Sequence, residues 1–403
     1  MSRCETRWRI LTAAPHRLFF ASGLAWLLAW SGWWTLVLAA RMAGLASMEP
    51  AQPALLLHGA VMLFLVLPPF MFGFLLTVFP RWMPAPEPGR APMLAAFALL
   101  NAGNLALLAG FYGPGALRVM GWLLALGALA VVSWTLLGIL RRSGERAPHG
   151  VVAVAGFCAG LAGMLLFLPI LRSGDFSTWP LVRGIGLWGF LLVVYFNVCH
   201  RMIPFFSARV VPGYVTWRPS WLLYLFVALA FARAVLEVAP AWAWLASTPL
   251  AALAIGCVLR WRPRQRHGVR LLAVLHLSLL WLAIGVTLAA FADLGAAFGA
   301  PGLIGRAPLH ALGMGFFGGM LMAMVTRVTL GHSGRPLVLD VLNWRLFLVV
   351  QAATVLRIAA EFMPPVSAGL SLLAAAAWLA AFGTWTGRHL LIYLRPRVDG
   401  APG

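Results

Sequence analysis

Histidine and arginine are the residues in this chain best placed to do chemistry, because both stand where an apolar environment would not otherwise keep them. A neutral imidazole can coordinate a metal ion without burying a net charge. Two of the nine histidines, His58 and His310, open the similar stretches HGAVM (58–62) and HALGM (310–314). Each puts a methionine, Met62 or Met314, four residues on and hence on the same helix face. His200, His276 and His332 stand in or beside other apolar runs. Arg233 and Arg357 are each followed four residues later by a glutamate, Glu237 and Glu361, the spacing of an intrahelical ion pair. A guanidinium in lipid is costly and needs such a partner.

The elements that must position these residues are membrane helices. The sequence has 403 residues, 62% hydrophobic and 10% charged, a composition of the membrane class. All thirty basic residues are arginine, and the net charge is +20. The arginines sit in short loops between apolar runs, where lipid orientation accounts for them and nucleic-acid binding does not. Cys4, Cys158, Cys199 and Cys257 show no paired spacing, so no disulfide framework is expected. The basic N-terminus (Arg3, Arg7, Arg9, Arg17) precedes an apolar run longer than a signal-peptide core, which reads as a first membrane helix.

Apolar runs of about 20 residues predict twelve helices in one polytopic domain, 1–403, an all-α membrane fold. They are α1 to α12, near 18–40, 52–80, 92–112, 117–140, 150–171, 181–206, 219–238, 241–259, 269–292, 307–330, 344–363 and 366–394. One set of loops carries Arg141, Arg142 and Arg146, then Arg260, Arg262, Arg264, Arg266 and Arg270, then Arg388, Arg395 and Arg397; the other carries Glu49, Asp175 and Asp293. The positive-inside rule places both termini in the cytoplasm. Lipid is therefore the chain's expected surroundings.

This topology sorts the histidines by depth. His58 and His310 fall near the outer ends of α2 and α10. His200, His276 and His332 fall toward the inner side. His310 and His332 are about 33 Å apart along a helix and cannot share a ligand. His16, His149, His267 and His389 lie in or beside basic loops and read as solvated surface. Two imidazoles at one depth on separate helices can grip both faces of a porphyrin; the competing reading is an interhelical hydrogen bond. Arg233 and Arg357 then either hold haem propionates, which guanidinium does well, or snorkel to the outer interface. Met62 and Met314 read as packing, with axial ligation the lesser option. Ala311, Gly315, Gly319 and Ala323 make a small-residue stripe that admits another helix or a flat ring. No CxxCH attachment motif occurs, so a bound haem b would be non-covalent. No Asp or Glu lies at mid-membrane, which argues against a proton pump or a proton-coupled transporter.

Histidines on α2, α6 and α10 and RxxxE pairs on α7 and α11 suggest a parallel four-helix repeat. In this arrangement the chain resembles the catalytic subunit of haem–copper oxidases, in which helices two and ten clamp a haem near the outer face. More specifically, HGAVMLFLVLPPFMFGFLLTVFPRW (58–82), HRMIPFFS (200–207) and TRVTLGHSGRPL (326–337) resemble the NnrS family. That resemblance implies a polytopic inner-membrane protein of the nitric oxide and nitrosative-stress response or of denitrification, with haem and copper as cofactors and nitric oxide as a small ligand. It leaves open a redox enzyme acting on nitric oxide and a non-catalytic sensor or metal-delivery protein, and names no electron donor. Many relatives begin the α2 motif with HxHEM; here Ala60 and Val61 replace the second His and the Glu. Copper suits an imidazole set without a hard carboxylate cluster, and His200, His276 and His332 are the inner candidates. A twelve-helix secondary transporter is the competing class, with Pro68 and Pro69 as a possible mid-membrane break.

Overall fold

The structure is a computed structural model describing residues 3–45, 48–143, 147–262 and 268–400. Arg146, Arg264, Arg266 and His267, with the side chains of Arg3 and Cys4, lie outside the described residues. A short helix, Arg3–Leu11, precedes twelve long apolar ones. These are α1 Pro15–Met42, α2 Ala54–Trp82, α3 Arg90–Tyr112, α4 Gly115–Arg142, α5 Pro148–Ser173, α6 Trp179–Val210, α7 Ser220–Val238, α8 Trp244–Trp261, α9 Arg270–Ala297, α10 Ala307–His332, α11 Val341–Phe362 and α12 Pro364–Tyr393. Helices satisfy their backbone internally, as lipid demands. The chain is a multi-pass helical membrane protein. Its ends meet on one side, where Arg17 Nη1 donates to the carbonyls of Tyr393 (3.3 Å) and Arg395 (2.9 Å). Below, "inner" means this arginine-rich end.

Three helices form the centre. The apolar windows of α2, α6 and α10 are 89%, 72% and 78% buried, against 56% or less for the others. The same three carry the π-helical segments found among the described residues: Met62–Val66, Ile185–Leu192 and Ala311–Gly318. The first runs directly into Pro68 and Pro69, whose missing N–H groups an altered helical turn can absorb. Leu67 between them keeps helical torsions, φ −83° and ψ −36°. α2 therefore keeps a helical path through these prolines, although its α-helical pattern is interrupted from Met62 to Leu67.

The small-residue stripe of α10 is a helix seam. A Cβ on Gly315 would lie 2.5 Å from the Trp281 ring, and one on Gly319 would lie 2.6 Å from Ser278 Oγ. Both neighbours belong to α9, so the stripe admits that helix, not a flat ring.

Several expectations need correcting. Pro15 and Pro148 start α1 and α5 at the first helical position, where proline is pre-organised. The helices therefore begin earlier than the apolar runs suggest. They take in His16 and His149, which are 3% and 8% exposed, not solvated surface. His389 is 2% exposed because it faces inward from α12, where its Nδ1 meets the Trp385 carbonyl at 2.9 Å. α9 continues to Ala297 and carries Asp293 into a buried position.

Candidate cofactor site

His58 and His310 both stand just before a π-helical segment. Between Leu56 and Leu76, α2 is buried at every residue except His58, Gly59 and Met62. Between Ala307 and Thr326, α10 keeps accessible surface only at Pro308, Leu309, His310, Gly313 and Met314. Each HxxxM pair thus lies along the one accessible strip of an otherwise enclosed helix. A Cβ on Gly313 would meet nothing within 4 Å, so open space adjoins α10 there. His58 and His310 lie within electrostatic range of each other and of Arg357.

The two imidazoles are held differently. His310 Nδ1 lies 3.0 Å from the Arg306 carbonyl. A carbonyl only accepts, so Nδ1 carries the proton and Nε2 keeps its lone pair, the arrangement typical of a metal-bound histidine. The His58 ring stacks on Trp34, with centroids 4.1 Å apart and planes 12° apart. Its Nδ1 is buried without a hydrogen-bond partner, a cost that a bond to a ligand would remove. The sequence carried no signal for Trp34, since a tryptophan in a membrane helix is unremarkable until its neighbour is known.

The two arginines part company. Arg357 pairs with Glu361 at 2.6 Å, and Glu361 Oε2 accepts from the Arg306 backbone N–H at 3.0 Å. The pair ties α11 to the turn that sets His310. Arg233 binds both oxygens of Asp293, at 2.8 and 2.9 Å, and also bonds Glu237, which Arg183 shares. Its guanidinium lies 5.1 Å from the Trp188 ring centre. Arg233 is thus occupied by two carboxylates and joins α6, α7 and α9. The Glu237 partner was legible at i+4; Asp293, 60 residues away, was not.

The inner histidines do not gather into one group. His200 Nδ1 meets His149 Nε2 at 3.0 Å, and its Nε2 lies 3.3 Å from the Pro219 carbonyl. The carbonyl sets the order: His200 donates to Pro219 and accepts from His149. His276 Nε2 pairs instead with Ser207 Oγ at 3.1 Å. His332 packs on His16, with ring centroids 4.5 Å apart, near Arg17, Arg81 and Arg397. The expected trio is split because its members sit on different helix seams, α5–α6, α6–α9 and α1–α10. Among the described residues, no three His, Cys, Asp or Glu side chains come together as a metal site. His16 and His149, expected as solvated surface beside basic loops, are instead the partners of His332 and His200.

The fold and this arrangement define a class: a polytopic helical membrane protein with paired histidines on its most enclosed helices. Comparison with known families then places it. The chain belongs to the NnrS protein family, which it matches over residues 10–397. No curated protein sequence matches it.

Proposed function

We propose that the chain binds haem b between His58 and His310 and acts on nitric oxide within a bacterial inner membrane. The observation that carries this reading is that the two imidazoles, each on the accessible strip of its own helix, lie within electrostatic range of each other. There, His310 keeps Nε2 free for a ligand and one nitrogen of His58 lacks any partner. The residues fit the group. His58 and His310 would hold the iron through nitrogens left without a partner, Gly313 leaves open space on α10, and the Arg357 guanidinium, within electrostatic range of both imidazoles, could pair with a carboxylate of the group. Bound haem would supply a redox centre. The chain's own part is to fix the two rings, through Trp34 on one and the Arg306 carbonyl on the other. Nitric oxide is uncharged and enters lipid directly, so the site needs no aqueous channel.

Copper, the second metal we infer from the family, is offered two imidazoles at His149–His200 and two at His16–His332. No third donor joins either pair among the described residues, and no step is routed through copper.

The test is purification in mild detergent after haem-replete expression, with reduced-minus-oxidised spectra and metal analysis. A b-type band is expected, lost or displaced in both His58→Ala and His310→Ala. A preparation without haem, or one whose band ignores both substitutions, sinks the proposal. Nitric oxide consumption by the haem-loaded protein separates an enzyme from a sensor.

A further inference from the structure

Between α1, α2, α6 and α10 the packing leaves a cavity of about 50 Å³, walled by Phe20, Phe70, Val198, Tyr195 and Met320 among others. The α2 and α10 residues that line it begin twelve residues beyond His58 and ten beyond His310, about 15–18 Å deeper at the α-helical rise. The cavity therefore lies below the outer histidines, toward the middle of the bundle.

Its surroundings are unusual in one respect. The π-helical segments of α2, α6 and α10 end at Val66, Leu192 and Gly318. The first lining residues on those helices are Phe70, Val194 and Met320. All three central helices thus change register just outward of the same void. A π turn is rare and frequently marks a functional position, so three of them beside one cavity point to space that is kept.

The walls decide what fits. Every lining side chain is hydrocarbon or thioether except Tyr195, which brings one hydroxyl. An ordered water needs two to four polar partners, and apolar cavities without them stay dry. A cavity of about 150 Å³ takes benzene, and a water occupies about 30 Å³ of liquid. At about 50 Å³, a third of that benzene-binding cavity, the space suits a diatomic molecule or a xenon atom better than a ring. Three methionines, Met71, Met320 and Met324, add soft, adaptable surface.

We propose that this cavity is a docking site for a single uncharged diatomic gas, reached from the lipid. That the gas is nitric oxide rests on the function proposed above; the site itself does not.

The test uses xenon on the purified full chain, followed by ¹²⁹Xe magnetic resonance against protein-free micelles. One saturable site per chain is expected. Val198 is half-buried and can take a larger side chain at modest strain. Val198→Phe should weaken xenon binding at least tenfold, and Val198→Ile should weaken it by a smaller factor. If Val198→Phe fails to fold, Val198→Ile and Val325→Ile carry the comparison. A wild-type signal equal to that of empty micelles overturns the proposal, as does one unchanged by every filling variant. Spectra on the same samples keep the two proposals apart. Haem without xenon binding refutes the cavity alone, and xenon binding without haem refutes the outer site alone.

Discussion

The ring of Trp34 lies against that of His58, with centroids 4.1 Å apart and planes within 12°. The Arg41 guanidinium sits 5.8 Å from the centre of the same indole, and Glu49 holds Arg41. A charge at the outer surface is thereby linked through one aromatic ring to the orientation of the His58 imidazole.

Trp34→Leu removes the stacking surface and leaves the His58 ring free to turn. Stacked pairs contribute about 0.5–1.5 kcal/mol beyond area burial, so the fold should persist. The haem band should broaden or shift, while Trp34→Phe restores most of it. An unchanged spectrum in Trp34→Leu would show that the stack does not position His58.

Glu49 gives a pH test. The hydrogen bond from Arg41 holds its carboxyl below the ordinary carboxylate range. The folded state thus favours the ionised form. Its stabilisation is present above the unfolded pKa and fades as pH falls through the lower folded value. Both side chains are about 40% exposed, so solvent screening limits the pair to below about 1 kcal/mol. Melting of Glu49→Gln should therefore fall slightly below wild type at neutral pH and converge with it in acid.

Arg233 separates a structural role from cofactor binding. Its side chain and those of Glu237 and Asp293 are under 10% exposed. Removing one member of a buried ionic network costs about 3–5 kcal/mol. Asp293→Asn should lower the melting temperature strongly and leave the haem spectrum in place. A spectrum altered at unchanged stability would instead bring Arg233 to the cofactor.

Two glycines on α10 should behave oppositely. A side chain at Gly315 meets Trp281, and overpacking of this kind costs about 1–3 kcal/mol or more. Gly315→Leu should destabilise the protein. At Gly313 a Cβ meets open space, and replacing glycine within a helix gains up to about 1 kcal/mol. Gly313→Ala should fold at least as well as wild type, and Gly313→Phe should fold yet displace haem. Thermal unfolding and visible spectra on the same samples check both halves.

The His149–His200 hydrogen bond is the fifth test. His149→Ala leaves His200 Nδ1 buried without its donor, at a cost of about 1–3 kcal/mol. His149→Gln supplies an amide donor and should recover part of it. Equal melting of His149→Ala and wild type would mean the pair adds nothing to stability.

Much of this protein was legible in its sequence. Apolar runs of membrane length set the number of helices, because lipid admits few other ways to satisfy a backbone. The ion pairs Arg233–Glu237 and Arg357–Glu361 follow from helical spacing alone. The family resemblance was carried by three short motifs on the helices that prove most enclosed. The tertiary structure decided which polar groups meet. Pairing at a helix seam depends on the rotation of each helix and on where it starts, and neither is written in local composition. Asp293 reaches Arg233 across sixty residues, His149 reaches His200, and His16 reaches His332. The π-helical turns were equally invisible, since segments apolar on every face, such as MLFLV and IGLWGFLL, carry no periodicity for an extra residue to shift. Yet those turns lie beside both outer histidines and around the central cavity.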